Sequence, residues 1–336
     1  MRQKSQISSV VLLFLFFYHS PVMAQGKSEK ERIRIGYAAR AVAHSIPYIT
    51  TEAGFFREEG IQAEVVRTAG AVAPMALISG DVDFTIMSAF LLIPVSVQSD
   101  VVMLGGFTRY ASMFFVSRPE IPGAKELRGK IVGLQRPGDA YEKNARFALR
   151  HLGLDPDKDV KFLFLGSNEV MWTALQTGKV AATMITPPAT VFARKSGTNF
   201  LVDLSDLKIE YQGSTLATRR SLIRDYPNLT RRVVRAIIRG IHFFKTRREE
   251  TYRILAKFLG TNDREALEDS WNYAADMPAK PYAVESAVQA VLNHLAEREP
   301  RYAQHKPAEF IDSGPLSELD RSGAIDRLYS GQDLER

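Results

Sequence analysis

Residues 75–88 read Met75-Ala76-Leu77-Ile78-Ser79-Gly80-Asp81-Val82-Asp83-Phe84-Thr85-Ile86-Met87-Ser88, and 98 positions later the chain reads Thr173-Ala174-Leu175-Gln176-Thr177-Gly178-Lys179-Val180-Ala181-Ala182-Thr183-Met184-Ile185-Thr186. The shared core is Ala-Leu-x-x-Gly-x-Val. The same spacing, to within one residue, brings Ile35-Gly36-Tyr37 onto Val132-Gly133-Leu134 and Ala63-Glu64-Val65-Val66 onto Lys161-Phe162-Leu163-Phe164. Three β-rich runs recurring in order at one offset mark a duplicated unit.

Each copy predicts strand, helix, strand, helix, strand, and short apolar strands alternating with helices predict a parallel sheet covered on both faces. Gly80 and Gly178 fall where a helix must end in a left-handed residue before the next strand. The expected fold class is α/β: two Rossmann-like lobes joined by two crossover strands, one lobe from residues 30–110 plus 210–336 and the other from 111–209. The crossover segments are placed at 108–111 and 205–213. Beyond them, 215–218 predicts one more strand. A helix over 229–244 then sets Val233, Val234, Ile237, Ile238, Ile241 and Phe244 on one stripe. Further helices are expected over 252–259, 264–275 and 282–296, the second capped by Asn262 with Glu265 three residues on. These C-terminal helices are expected to pack on the first lobe.

The first 24 residues fit an export signal: Arg2 and Lys4 are charged, 7–17 is apolar, and Val22-Met23-Ala24 is a small-residue cleavage site. The apolar run is about half the roughly 20 residues of a membrane span. The chain has no cysteine, which excludes disulfides, thiolate metal sites, a cysteine nucleophile and a lipid-bearing cysteine. Without residues 1–24 the formal charge falls from +6 to +4, a mild excess compatible with anionic ligands and a weak argument for nucleic acid. Within the basic run Arg231-Arg232, Arg235, Arg239, Lys245, Arg247-Arg248, the helical spacing sets Arg232, Arg235 and Arg239 on the face opposite the apolar stripe, as a solvated helix face does.

Ligands of open α/β sheets bind beyond the carboxyl ends of the strands, where helix N-termini offer unpaired N–H groups and positive dipole ends. The repeat therefore names the candidate ligand-binding residues. After the first strands come His44 and Ser45, then Gly138, Asp139 and Tyr141. After the second strands come Gly70 and Asn168, and after the third Ser88 and Ala89, then Thr186 and Pro187. Tyr37, Phe90 and Met184 are candidate apolar contacts. Arg109, at the first crossover, is placed to fork onto an acidic ligand group. The plainer alternatives are that Ser45, Ser88 and Thr186 only cap helices, that His44 is structural, and that Arg109 is a solvated hinge residue. No hydrolase elbow, zinc helix, P-loop or dinucleotide fingerprint is present, and the six histidines lack metal-ligand spacing, so no cofactor and no metal are expected.

Pro47-Tyr48-Ile49-Thr50-Thr51-Glu52-Ala53-Gly54-Phe55-Phe56-Arg57-Glu58-Glu59-Gly60, Ala76-Leu77-Ile78-Ser79-Gly80-Asp81-Val82-Asp83, Glu126-Leu127-Arg128-Gly129-Lys130 and Ala174-Leu175-Gln176-Thr177-Gly178-Lys179-Val180 carry a further signal. With them the chain resembles the nitrate/sulfonate/taurine and pyrimidine-precursor group of periplasmic substrate-binding proteins of ABC transporters. The resemblance implies a type II-like binding-protein fold, a small organic anion or heteroaromatic ligand between the lobes, and handover to an inner-membrane permease. It implies a periplasmic monomer without catalysis. Where relatives carry Asp-Ala after Gly-x-Val this chain has Ala181-Ala182. The alternatives are a ligand-sensing partner of a membrane receptor, and an exported enzyme similar to the pyrimidine synthases. The latter use a cysteine-rich segment that this chain lacks.

Overall fold

The computed structural model describes residues 30–331 apart from 69 and 71, and the export signal expected at 1–24 lies outside the described residues. In chain order the strands are β1 (Arg32–Tyr37), β2 (Gln62–Arg67), β3 (Phe84–Ser88), β4 (Val101–Gly106), β5 (Phe114–Ser117), β6 (Ile131–Leu134), β7 (Lys161–Phe164), β8 (Ala182–Ile185), β9 (Asn199–Asp203) and β10 (Ser214–Arg219). They form two five-stranded sheets, ordered β2-β1-β3-β10-β4 and β7-β6-β8-β5-β9. β1 pairs in parallel with β2 and β3, and β6 does the same with β7 and β8, so the duplicated unit is a duplicated sheet core. Gly80 and Gly178 hold φ of 86° and 75°, the left-handed conformation that ends the preceding helix in each copy.

Neither sheet is wholly parallel, which corrects the expectation drawn from the apolar runs. β10 runs antiparallel to β3 and β4, and β5 runs antiparallel to β8 and β9. Each of these strands arrives from the other lobe, so it enters its sheet at the edge where the resident strands end. The two crossovers pair with each other: Ala111 N–H donates to Ile209 O at 2.8 Å, Tyr211 N–H to Arg109 O at 2.9 Å, and Gly213 N–H to Thr108 O at 3.0 Å.

The helix Pro227–Thr246 buries Leu229, Val233, Val234, Ile237, Ile238, Ile241 and Phe244 against the first lobe. Full burial of such side chains contributes about 1.5–3 kcal/mol each, whereas exposed ion pairs contribute about 0–1. The apolar stripe therefore docks this helix. Its opposite face is ion-paired within the chain, Arg231 to Glu318 at 2.5 Å, Arg235 to Glu59 at 3.2 Å, and Arg239 to Glu58.

Two details of the tail differ from the sequence reading. The helix Arg264–Ala274 is capped by Asp263, whose carboxylate accepts from Ala266 N–H at 3.1 Å. Asn262 lies one residue too early to reach that N–H, and Glu265 pairs with Lys195 at 2.7 Å instead of closing a capping box. The tail also touches both lobes, because Asp269 bonds Thr190 and, at 3.2 Å, Arg194 on the helix Ala189–Lys195. No helix among the described residues is long and apolar enough to cross a membrane.

Gly240 marks the closest approach of Pro227–Thr246 to the helix Ile46–Glu52: a Cβ there would stand 2.0 Å from Thr50 Oγ1. Gly240→Ala is expected to destabilise the protein by about 1–2 kcal/mol, as overpacking outweighs the roughly 1 kcal/mol that Ala gains over Gly in a helix. In a Thr50→Ala background the penalty is expected to vanish or reverse. A double-mutant cycle by urea denaturation measures this, and purely additive effects would refute the close contact.

Candidate functional site

The carboxyl ends of the parallel strands in both sheets open onto one enclosed cavity of about 140 Å³ between the lobes. The loop after β1 is rich in alanine, and Ala38, Ala39, Ala41 and Ala43 form its share of the wall with little bulk. His44 stands in a 3-10 turn, Val42–Ser45, and Ala39 N–H donates to its Nδ1 at 3.2 Å. That bond puts the ring proton on Nε2 and leaves it as a donor. Burial pushes the His44 pKa down to about 4, so the ring is neutral at neutral pH.

After β2 comes Gly70, at φ 56°, against which the Arg136 guanidinium from the other lobe is packed. A Cβ at Gly70 would fall 1.1 Å from Arg136 Nη1, so any other residue would push the guanidinium aside, and the left-handed φ itself favours glycine. After β3, the Ser88 hydroxyl accepts from Phe90 N–H at 3.2 Å and caps the helix Ala89–Ser96.

The second lobe supplies the charge. Arg136 is the one lysine or arginine among the described residues of the wall, and its guanidinium has no hydrogen-bond or ion-pair partner among the described residues. Asp139 caps the helix Ala140–His151 by accepting from Glu142 N–H at 3.0 Å, and also accepts from Arg136 N–H at 3.0 Å. Burial pushes its pKa up to about 6, against the opposing effect of these N–H groups. Tyr141 is buried, which raises its phenol pKa, and its hydroxyl faces Asn168 and Thr186.

His44, Gly70, Ser88, Asp139, Tyr141 and Thr186 thus meet at one wall. The other expected residues stand elsewhere. Ser45 is buried behind His44 and caps nothing; its hydroxyl donates to Val42 O at 2.6 Å. Ala89 N–H is taken by Gly213 O at 3.2 Å, and Gly138 N–H by Glu142 Oε2 at 2.6 Å. Asn168 follows the true cap, Ser167, and accepts from Gln135 at 3.2 Å. Arg109 and Pro187 face a neighbouring hinge-side pocket of about 660 Å³, with Arg109 bound to Glu210 at 2.6 Å. Thr186 is no side-chain cap either: only its carbonyl accepts, from Ala189 N–H at 3.0 Å. Tyr37 packs on Phe258, Phe90 on Tyr211, and Met184 is in the core.

Sequence reasoning missed the hinge and the tail. Ser112, Met113, Tyr211 and Tyr273 line the cavity, and the Ser112 and Tyr273 hydroxyls bond at 2.9 Å. No group of three or more metal-ligating side chains is gathered among the described residues.

Two α/β lobes around a small cavity walled by strand-end loops from both define the periplasmic binding protein fold. The family model described as NMT1/THI5 like matches residues 41–251, and the chain belongs to that family. It is 22% identical over 238 residues to YtlA of Bacillus subtilis, named as a binding protein, an alignment spanning 68% of this chain and 70% of YtlA. The alkanesulfonate-binding protein SsuA of Xanthomonas axonopodis pv. citri, solved with MOPS, superposes with a TM-score of 0.69 at 17% identity, covering 85% of this chain and 99% of SsuA. The periplasmic nitrate-binding protein NrtA of Synechocystis gives 0.73 at 12% identity, covering 88% of this chain and 89% of NrtA. The neighbours named here are binding proteins.

The folded state keeps His44 neutral while the unfolded chain protonates it near the ordinary histidine value of 6.5. Its contribution is therefore complete above pH 6.5 and is lost as pH falls through 6.5 toward 4, by about 3 kcal/mol in all. His44→Gln is expected to flatten that part of the stability profile, measured as the wild-type-minus-variant difference in unfolding free energy between pH 7 and 4. An unchanged difference across that range would contradict a neutral buried ring.

Proposed function

We propose that this chain is the periplasmic solute-binding component of an ABC importer, that it captures a small organic anion between its lobes, and that it releases the molecule unchanged to an inner-membrane permease. The observation that carries this reading is the unpartnered Arg136 guanidinium on the wall of a cavity whose one other charged lining residue is Asp139, itself tied to backbone N–H groups. The guanidinium is half-buried, and an anion can accept from it in a forked, charge-assisted geometry. His44 Nε2–H adds a neutral donor, and the helices at Ser88 and Asp139 direct their positive ends to the same space. The cavity volume resembles that of a site that holds one benzene-sized molecule, which suits a compact head group.

The relatives support the anionic character, since alkanesulfonate and nitrate are both anions. Residues 1–24 remain the expected export signal, and action as a monomer belongs to the same reading. Absence of turnover is supported by the state of His44, whose Nδ1 is already engaged by a backbone amide and which has no carboxylate among the described residues to orient it as a base.

Isothermal titration of the mature protein with small sulfonates and carboxylates tests the proposal: saturable binding is expected, with each compound recovered unaltered. Arg136→Gln is expected to weaken binding by roughly 10- to 100-fold, the loss of one charge-assisted bidentate contact. Equal affinity of the two proteins for every anion tried, or chemical change of a bound compound, would overturn it. Because Asp139 titrates near 6 beside the site, affinity is expected to rise as pH falls from 7 to 5 and its carboxylate is neutralised. Asp139→Asn removes that slope.

A further inference from the structure

The tail helix Arg264–Ala274 has two faces that belong to different lobes. Leu267 and Ala274 are buried in the core of the first lobe with Ile33, Ile35 and Phe84, and Trp271 Nε1–H donates to Phe244 O at 2.7 Å. The other face is acidic and meets the helix Ala189–Lys195 of the second lobe. Asp269 bonds the Thr190 hydroxyl and, at 3.2 Å, Arg194, while Lys195 reaches Asp263 at 3.4 Å and Glu265 at 2.7 Å. Glu265 and Asp269 are four residues apart, and so are Leu267 and Trp271, which is how one helix presents an acidic and an apolar stripe at once. The basic partners are held ready: Thr190 is fully buried, and the Arg194 guanidinium lies 5.1 Å from the Phe200 ring centre.

These contacts are graded by their distance from the hinge. Tyr273, about one turn after Asp269 on the same helix, bonds the Ser112 hydroxyl of the first crossover at 2.9 Å. At 1.5 Å of rise per residue, Asp269 stands about 6 Å and Asp263 about 15 Å along the helix from Tyr273. Rotation of the second lobe about the crossovers displaces a point in proportion to its distance from the axis, so opening stretches the Lys195 pairs most and the Ser112–Tyr273 bond least. Thr190, Arg194, Lys195, Asp263, Glu265 and Asp269 are not among the described residues of the 140 Å³ cavity wall. The attraction across this interface therefore acts with or without a molecule in the cavity.

We propose that the acidic face of this helix is a ligand-independent latch, which holds the second lobe in the closed position and sets how much closed form exists before any ligand arrives. A ligand of the closed form gains apparent affinity in proportion to that population. The gain is the same factor for every ligand, because the latch makes none of the ligand's contacts. Asp269 is the centre of the latch, since it alone joins two side chains of the opposing helix. The inference rests on closure of the two lobes and is independent of the charge of the guest.

Small-angle X-ray scattering of the ligand-free mature protein at low salt tests the latch in wild type, Asp269→Ala, Thr190→Val and Lys195→Gln. All three variants are expected to show a larger radius of gyration than wild type, Asp269→Ala the largest because it loses Thr190 and Arg194 together. About 0.5 M NaCl is expected to expand wild type toward Asp269→Ala, since exposed ion pairs are screened. Thr190→Val keeps the size of a buried side chain, and circular dichroism melts verify that each variant is folded. In calorimetric titration, methanesulfonate and acetate are each expected to bind Asp269→Ala about three- to tenfold more weakly than wild type, by one common factor. Ligand-free radii equal to that of wild type in all three folded variants, or an affinity loss confined to one of the two anions, would overturn the latch. If neither anion binds wild type, the anion site falls, and the ligand-free radii alone decide the latch.

Discussion

The antiparallel course of β5 and β10 is the constraint from which the site follows. β4 runs parallel to β1 and β3, so the chain leaves the first sheet at the edge where its parallel strands end. It crosses in a short segment and, because β5 opposes β8, enters the second sheet at the corresponding edge. β9 then runs with β6 and β8, ends at that same edge, and the return crossover delivers β10 antiparallel to β3. A crossover of a few residues spans little distance. The carboxyl edges of both sheets must consequently face each other, and hydrogen bonds between the two crossovers hold that arrangement from Thr108–Gly213 to Ala111–Ile209.

Once those edges are opposed, every loop that follows a parallel strand is aimed at the gap, and the local sequence decides what it delivers. The alanines after β1 leave room for backbone to form the wall, and Ala39 N–H fixes the tautomer of His44. Asp139 ties the loop after β6 to its own helix through two N–H bonds, so Arg136 projects from a preorganised turn. Such fixed donors need little reorganisation when a ligand arrives. Elsewhere the lobes are braced by Arg298 on Glu142 at 2.9 Å and by Asp269 on the helix Ala189–Lys195. Glu142 is largely buried; burial favours its neutral form, but Gly138 N–H, Arg146 and Arg298 together hold its pKa below the ordinary value.

The repeat at 98 residues made the duplicated sheet core legible, and with it the strand-end loops that carry His44, Gly70, Ser88, Asp139, Tyr141 and Thr186. It could not reveal the antiparallel strands, because β5 and β10 lie outside the duplicated unit and an apolar run does not record strand direction. Ser112, Tyr211 and Tyr273 were hidden for the same reason. They come from crossovers and tail, where no second copy exists for comparison. Helix starts were also a coarser guide than their number suggests: the N–H groups of Ala89 and Gly138 are already bonded within the fold. Arg109 sits at a crossover, and that position sets it beside Glu210, which pairs across the two crossovers with Tyr110.

The two copies have diverged where it matters for recognition. At matched positions after the first strand, one lobe offers alanines and a neutral histidine, the other Arg136 and Asp139. An anion could meet its cation on the second lobe alone, but a ligand shifts an open–closed equilibrium only through contacts that differ between the two states. Those contacts must come from the first lobe: His44 Nε2–H, the Ser88 helix start, and the bare backbone of Gly70 that lets the Arg136 side chain lie across the gap. A side chain at position 70 would displace the Arg136 guanidinium from its place across the gap, because the two would occupy the same space. The glycine that lacks every chemical group therefore serves recognition alongside the arginine, because it leaves open the space in which the guanidinium lies.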